Sequence, residues 1–312
     1  MTAVKRTLKR YAIGVVLIVL FIIGAVTTKN FLTVKNITNV LRQISVTGIL
    51  ALAESILIIC GQIDLSLGSV VAFAGVLSVS AYLSAGPLII GILVAILLAT
   101  LCLSISGLLI ARLKLTAFIV TMALGFIVRG LCFMWTGGQS IYDIRNYGVI
   151  STTYVGVIPL PVIIMFLCVA ACAFIMNRTT LGRSIFAVGG NKEAAGASGI
   201  NVSRTIFYAY ALGGVLTGIA TVLQIARVNS AIPSTADGYE GDAIAAAIIG
   251  GTSFSGGIGT MIGVLIGAAI MGFLSNLLNL LGFDSYFQMV TKGVIIILAL
   301  ILDNVLKNRK LK

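Results

Sequence analysis

The sequence predicts an all-α polytopic membrane protein of about ten transmembrane helices, folded as a single domain over residues 1–312. Three observations predict it. Hydrophobic residues make up 59% of the chain and charged residues 10%, where a soluble globule carries about 25% charge. The mean hydropathy is +1.14, so apolar surface exceeds what one core can hide and must meet lipid. Apolar windows of roughly twenty residues, the length that crosses a hydrocarbon core, recur along the whole chain.

The first window, residues 11–27, follows Lys5, Arg6, Lys9 and Arg10. Its run is long and no small-residue cleavage pattern leads into a hydrophilic region, so it reads as an uncleaved first span. Further windows fall at 44–61, 66–84, 88–110, 115–135, 158–176, 205–226, 242–255, 258–280 and 288–305. With the N-terminus in the cytoplasm, alternation puts most of the 21 Lys and Arg residues inside, including Lys307, Arg309, Lys310 and Lys312. That is the distribution the positive-inside rule requires. An even number of spans keeps the basic tail inside, so ten is preferred to nine or eleven and both termini are cytoplasmic. The net charge of +12 expresses the same bias. Its cations are scattered at segment ends with no soluble domain to present them, which argues against nucleic acid as a partner.

Two longer connections fall on the outer side in this scheme, 136–157 with Asp143 and Arg145, and 227–241 with Pro233, Asp237 and Glu240. With Asp242 and Asp284 they give that side a mixed charge able to dock a soluble partner. On the inner side, residues 178–204 are polar, basic and Gly-rich between two apolar flanks. A membrane-embedded chain takes mechanical input only through a surface outside the lipid, and this segment is such a surface. Glycines repeat at four-residue spacing at Gly259, Gly263 and Gly267 and at Gly214 and Gly218, which lets helices approach closely. Stretches 44–84 and 242–280 each hold a Gly-rich break between apolar runs, the pattern of an inverted repeat.

The break at 61–68 reads Gly61-Gln62-Ile63-Asp64-Leu65-Ser66-Leu67-Gly68. Asp64 or Ser66 can cap the following helix; alternatively, non-helical backbone at membrane depth lines a cavity or lies buried in protein. Glu54 sits mid-span with no basic neighbour in sequence. An intramembrane acid marks a functional site by default, and here it binds a substrate hydroxyl, carries a proton, or joins two helices. Gln288 and Lys292, and likewise Asn276 and Asn279, share helix faces by spacing and either bind a polyol or link helices.

The chain has no histidine, which removes imidazole catalysis and most zinc sites. It contains neither a nucleotide-binding P-loop motif nor a nucleophile elbow, so no enzyme, cofactor or metal reading has a residue to rest on. The five cysteines lie in or beside apolar runs without paired spacing and read as packing residues rather than disulfides.

The blocks GQIDLSLGS at 61–69, TLGRSIFAVGGNKEAAGASGINV at 180–202 and GYEGDAIAAAIIGGTSFSGGIGTMIGVLIGA at 238–268 carry a resemblance, extended by FLTVKNITNVLRQ at 31–43 and NLLNLLGFDSYFQMVTKGVIIILA at 276–299. In order and over almost the whole chain, they resemble the membrane permease of bacterial ribose-type ABC importers. That is the monosaccharide branch of a family that also includes branched-chain amino-acid permeases. The resemblance implies a ten-helix, multi-pass permease of the bacterial cytoplasmic membrane that dimerises. It implies two ATPase domains bound from inside and a sugar-binding protein delivering substrate from outside. It places the ATPase-coupling segment at Gly182, Arg183, Gly189, Gly190, Asn191, Glu193, Ala194, Ala195 and Gly199. Gln62, Glu54 and Gly241 depart from the family pattern, so ribose, another pentose, a hexose, a furanose sugar or a sugar-derived signal all stay open.

The expected function is the non-catalytic translocation subunit of a monosaccharide importer. Glu54, Gln62, Asp64, Asn276, Asn279 and Gln288 are its candidate pathway residues. The alternatives are a proton-coupled secondary transporter in which Glu54 and Asp64 titrate, and a membrane scaffold that transports nothing.

Overall fold

The computed structural model describes residues 3–308; Arg309, Lys310 and Lys312, counted above among the inner cations, lie outside them. Helix α1 (Ala3–Thr27) leads through a turn to α2 (Val34–Ile59), where the Thr33 hydroxyl accepts the Asn36 N–H and caps the helix start. Phe21 of α1 packs edge-on against Phe31 and Phe273, at 5.4 and 5.6 Å between centroids, which ties the first helix to the bundle. Helix α2 begins ten residues before the apolar window at 44, because its first turns are polar yet well capped. From Ile44 to Ile59 every residue is buried. A helix apolar on all sides belongs at the centre of a bundle, and α2 is that centre.

Helices α3 (Leu67–Ala85), α4 (Leu88–Leu113) and α5 (Ala117–Thr136) follow. The lipid-facing stripe of α4 is explicit in exposed Leu93, Leu97, Leu101, Ile105 and Leu108, spaced three and four apart along one side. A short α6 (Val149–Thr152) and a two-stranded hairpin, β1 (Tyr154–Val155) with β2 (Ile158–Pro159), precede α7 (Leu160–Arg178). Next come two short helices, α8 (Thr180–Gly190) and α9 (Lys192–Ala197), and then α10 (Val202–Val228). Thr179, Asn191 and Asn201 cap the starts of these three with side-chain oxygens, so the polar 178–204 segment is a capped helical hairpin rather than a loop. Gly214 and Gly218 of α10 lie against the backbone of Thr100 and Ile96 in α4, the close approach that their spacing predicts.

The chain ends with α11 (Tyr239–Ile249), α12 (Met261–Leu280) and α13 (Ser285–Asn308). Among the described residues seven helices, α2 to α5, α7, α10 and α12, are long and apolar enough to span a membrane. In α1 and α13 the apolar stretches, Gly14–Thr27 and Ser285–Leu298, are shorter. The expected span at 242–255 is corrected. Helix α11 has eleven residues, about 16 Å at 1.5 Å per residue, roughly half of a 30 Å hydrocarbon core. Two consecutive glycines stop it: Gly251 takes a φ of +89°, a left-handed value that favours glycine.

Helices α2 and α11 terminate in the same way. Gly61 N–H donates to the Ile58 carbonyl and Gln62 N–H to Leu57, both at 2.9 Å; Gly251 and Thr252 repeat this on Ile248 and Ala247 at 2.9 Å. Both are Schellman motifs with glycine in the left-handed position. The two Gly-rich breaks thus share one stop signal.

Candidate functional site

The residues after α2 re-enter the bundle instead of leaving it. Glu54 and Asp64 are both 0% exposed. Glu54 Oε1 accepts the Asp64 N–H at 3.2 Å, and Asp64 Oδ1 accepts the N–H and hydroxyl of Ser66 at 2.7 and 2.5 Å. Thr121 of α5 accepts the Leu65 N–H at 3.1 Å, and Tyr210 of α10 donates its hydroxyl to the Ile63 carbonyl at 2.9 Å. The backbone polar groups of the break are thus satisfied by side chains of three helices, as lipid-depth coil requires. Of the two capping candidates for α3, Asp64 takes the amide of the N-cap residue Ser66, while Ser66 makes no side-chain cap, because its hydroxyl turns back to Asp64. One oxygen of each acid, Glu54 Oε2 and Asp64 Oδ2, is buried without a partner.

The segment after α10 also enters the bundle. Arg129 of α5 donates to the Pro233 and Thr235 carbonyls at 2.7 and 3.0 Å. Gln224, 2% exposed, donates to Thr235 Oγ1 at 3.2 Å, and Arg227 bridges Gln224 Oε1 and the Tyr239 hydroxyl at 3.1 and 3.3 Å. The Glu240 carboxylate and the Ala236 carbonyl lie against Gly68, where no side chain fits. The break after α2 and the segment after α10 therefore meet inside the bundle at Gly68.

Asp242 is corrected as a surface acid. It is 9% exposed and takes the Lys292 ammonium of α13 at 2.7 Å. It lies in the first turn of α11, where a helix N-terminus favours negative charge. Glu240, placed with it on the outer surface, is half-buried beside Gly68.

The six pathway residues fall into two groups. Glu54, Gln62 and Asp64 lie at the α2 break, beside α8. Asn276 and Asn36 exchange hydrogen bonds at 2.8 and 3.0 Å, and Gln288 donates to Asn279 at 2.8 Å. Asn276 and Asn279 sit toward the far end of α12, about 23 and 27 Å of helix from its start at 1.5 Å per residue, and Gln288 lies near the start of α13. The structure joins Glu54 to Asp64 and Asn279 to Gln288, pairs Asn276 with Asn36, and leaves the two groups apart.

The residues expected to couple to an ATPase lie at one corner of the bundle. Gly182 is pressed against the Ile175 and Met176 carbonyls of α7, and Gly189 against the Ile59 carbonyl that ends α2. The same carbonyl accepts the Gly257 N–H at 2.9 Å, and Ser55 and Thr252 hydroxyls meet at 3.0 Å. The end of α8, the end of α2 and the coil after α11 thus share one glycine-lined joint. Arg183, Gly190, Asn191, Glu193, Ala194 and Gly199 are exposed, while Ala195 is buried. A methyl added at Gly190 meets nothing within 4 Å.

Arg129, Gln224 and Tyr239 were not singled out by sequence reasoning. The signal was available for the first two: each is a lone polar or charged residue inside an apolar window, the same reason that singles out Glu54. Lys292 was noticed beside Gln288, but its partner is fifty residues away in sequence.

A helical bundle with, among the described residues, seven apolar helices long enough to span a membrane, and a buried polar break at its centre, is the architecture of a polytopic membrane protein. The chain belongs to the family described as the branched-chain amino acid transport system / permease component, whose model matches residues 36–300. It is 40% identical to the ribose import permease protein of Haemophilus influenzae over 95% of this chain and 94% of that one. The ribose import permease protein of Bacillus subtilis is 38% identical, over 92% and 90% of the two chains. The D-allose transport system permease protein of Escherichia coli is 36% identical, over 93% and 89%.

Proposed function

We propose that this chain is the translocation subunit of an ATP-driven importer of ribose or a related monosaccharide in a bacterial cytoplasmic membrane. The observation that carries the reading is end-to-end similarity, at up to 40% identity, to import permeases named for ribose. Relatives named for D-allose and L-arabinose keep the sugar within the monosaccharide class. The permease does no chemistry; ATP is hydrolysed by a cytoplasmic partner that seats on α8 and α9. A soluble sugar-binding protein docks on the opposite face, and a second permease copy completes the pair. This reading makes the α8 face cytoplasmic, with both termini on that side.

Coupling requires that the ATPase bind the two states of the permease differently. The glycine joint supports that role, because α8 touches the ends of both broken helices at once. Glu54, Gln62 and Asp64 border the inner stretch of the route, and Asn276, Asn279 and Gln288 the outer one. A transport site holds its sugar loosely through a few polar groups, since tight binding blocks exit.

The test is uptake of labelled ribose into proteoliposomes holding the permease, its ATPase and its binding protein. Uptake that needs ATP and ignores a collapsed proton gradient is expected. The buried, unpartnered oxygens of Glu54 and Asp64 favour one rival, proton-coupled transport. Uptake driven by a proton gradient without ATP would establish that rival instead.

A further inference from the structure

We propose that the cavity between Asn39, Arg42, Gln43, Ser151, Arg227 and Asn276 is a receiving site for a neutral polyhydroxyl ligand of monosaccharide size. The inference rests on the importer reading above and places the first station of the route within a single permease copy. The cavity measures about 300 Å³, the lower end of the range of roughly 300–1,000 Å³ for small-ligand sites. It lies where the starts of α2 and α6 meet the ends of α10 and α12, on the face opposite α8.

Its lining specifies the ligand. A sugar hydroxyl both donates and accepts, so it needs donors and acceptors around it, whereas an anion uses donors alone. Asn39, Gln43 and Asn276 supply amide oxygens and amide N–H groups side by side, and Ser151 a hydroxyl. The two guanidiniums supply donors in a planar fork, the shape that engages adjacent oxygens. Each guanidinium is already oriented. Arg42 Nη2 donates to the Tyr154 hydroxyl at 2.9 Å, and its Cζ stands 5.3 Å from that ring's centroid. Arg227 is held by Gln224 Oε1 at 3.1 and 3.4 Å. Arg42 Nε is buried without a partner, a donor that only a polar occupant of this region satisfies.

The site is also connected inward. Arg227 Nη2 reaches the hydroxyl of Tyr239, the first residue of α11, at 3.3 Å. A ligand that draws on Arg227 therefore pulls on the half-helix. A second, larger cavity of about 740 Å³ beside Arg145 and Asn146 has a mostly apolar lining and serves as the control.

The five native cysteines are buried, so a cysteine introduced at exposed Asn39 is the thiol an impermeant maleimide meets. The complete transporter in proteoliposomes, carrying Asn39→Cys or Asn146→Cys, is treated with the maleimide from outside at rising ribose concentration. Ribose is expected to slow modification of Asn39→Cys and leave Asn146→Cys unchanged. Adding Arg42→Lys is expected to raise the half-protecting concentration roughly ten-fold, the scale of one lost charge-assisted hydrogen bond. Gln43→Cys repeats the measurement should Asn39→Cys not assemble. ATP-driven ribose uptake with no protection at either position, or better protection by inorganic phosphate than by ribose, overturns the proposal. Absence of ATP-driven uptake of any monosaccharide by the unmodified complex overturns the importer reading, and this site with it.

Discussion

Two adjacent glycines at the end of α8 are expected to fail in opposite ways. At Gly189 a side chain overlaps the Ile59 carbonyl and approaches Gly257 N. Those atoms are backbone held by the Gly257 to Ile59 hydrogen bond at 2.9 Å, so they cannot step aside as a flexible side chain would. Forcing a leucine there amounts to overpacking, typically about 1–3 kcal/mol. At Gly190 an added Cβ meets nothing within 4 Å, and a leucine at such an exposed position changes stability by no more than about 0.5 kcal/mol. On the proposed reading Gly190 belongs to the surface that meets the ATPase, so the bulk is felt by the partner alone. The assay is thermal unfolding of the purified permease, followed by co-purification of the ATPase and ATP-driven uptake. Gly190→Leu is expected to keep membrane insertion and melting temperature but lose uptake. Gly189→Leu is expected to lower the melting temperature. Normal uptake by Gly190→Leu, or unchanged melting of Gly189→Leu, would refute the reasoning.

Lys292→Met leaves the nearly buried Asp242 carboxylate unpaired and is expected to destabilise by about 3–5 kcal/mol. Adding Asp242→Asn should recover most of that loss in thermal melts. Arg129→Gln removes two charge-assisted bonds that hold the re-entrant segment, each worth about 1.5–3 kcal/mol. Hydrogen exchange at residues 233–239 should accelerate in that variant before the rest of the bundle loosens. Glu54→Gln keeps an oxygen for the Asp64 N–H while removing the titratable group. It is expected to retain ATP-driven uptake, and abolished uptake with intact folding would favour the proton-coupled rival.

The helical bundle was legible because lipid imposes one rule, long apolar windows, that composition reveals directly. Glycine spacing at Gly214 and Gly218 was legible for the same reason: small residues four apart leave few alternatives to a close helix contact. The half-helix α11 was hidden because the sequence at 242–255 is apolar enough for a span. Only the paired stop at Gly250 and Gly251, together with the carbonyls pinned by Arg129, makes it short. The Asp242–Lys292 pair was hidden by its sequence separation. The 178–204 segment was read correctly as a polar surface but not as two capped helices, since Thr179, Asn191 and Asn201 act as caps only once the backbone around them turns.

What the two broken helices share explains why one short helix can address both. Residues 57–62 and 247–252 end their helices with the same pattern of hydrogen bonds, so each presents a glycine and a freed stretch of coil to the same corner. Gly189 closes on one, through Ile59, and Gly256 and Gly257 of the other close on Gly189 and Gly190. Because the contacts of Gly189, Gly256 and Gly257 there are backbone on backbone, no rotamer change relieves them when α8 is displaced; packed interfaces shift as units rather than deform. On the proposed reading, a push on α8 reaches the Glu54–Asp64 break along α2 and the Arg227–Tyr239 link along α11 together. If the two arms were independent, lengthening the coil at residues 253–258 would disturb only the α11 side. Expected instead is loss of coupling at both, read as altered thiol accessibility at Gln62→Cys as well as at Asn39→Cys.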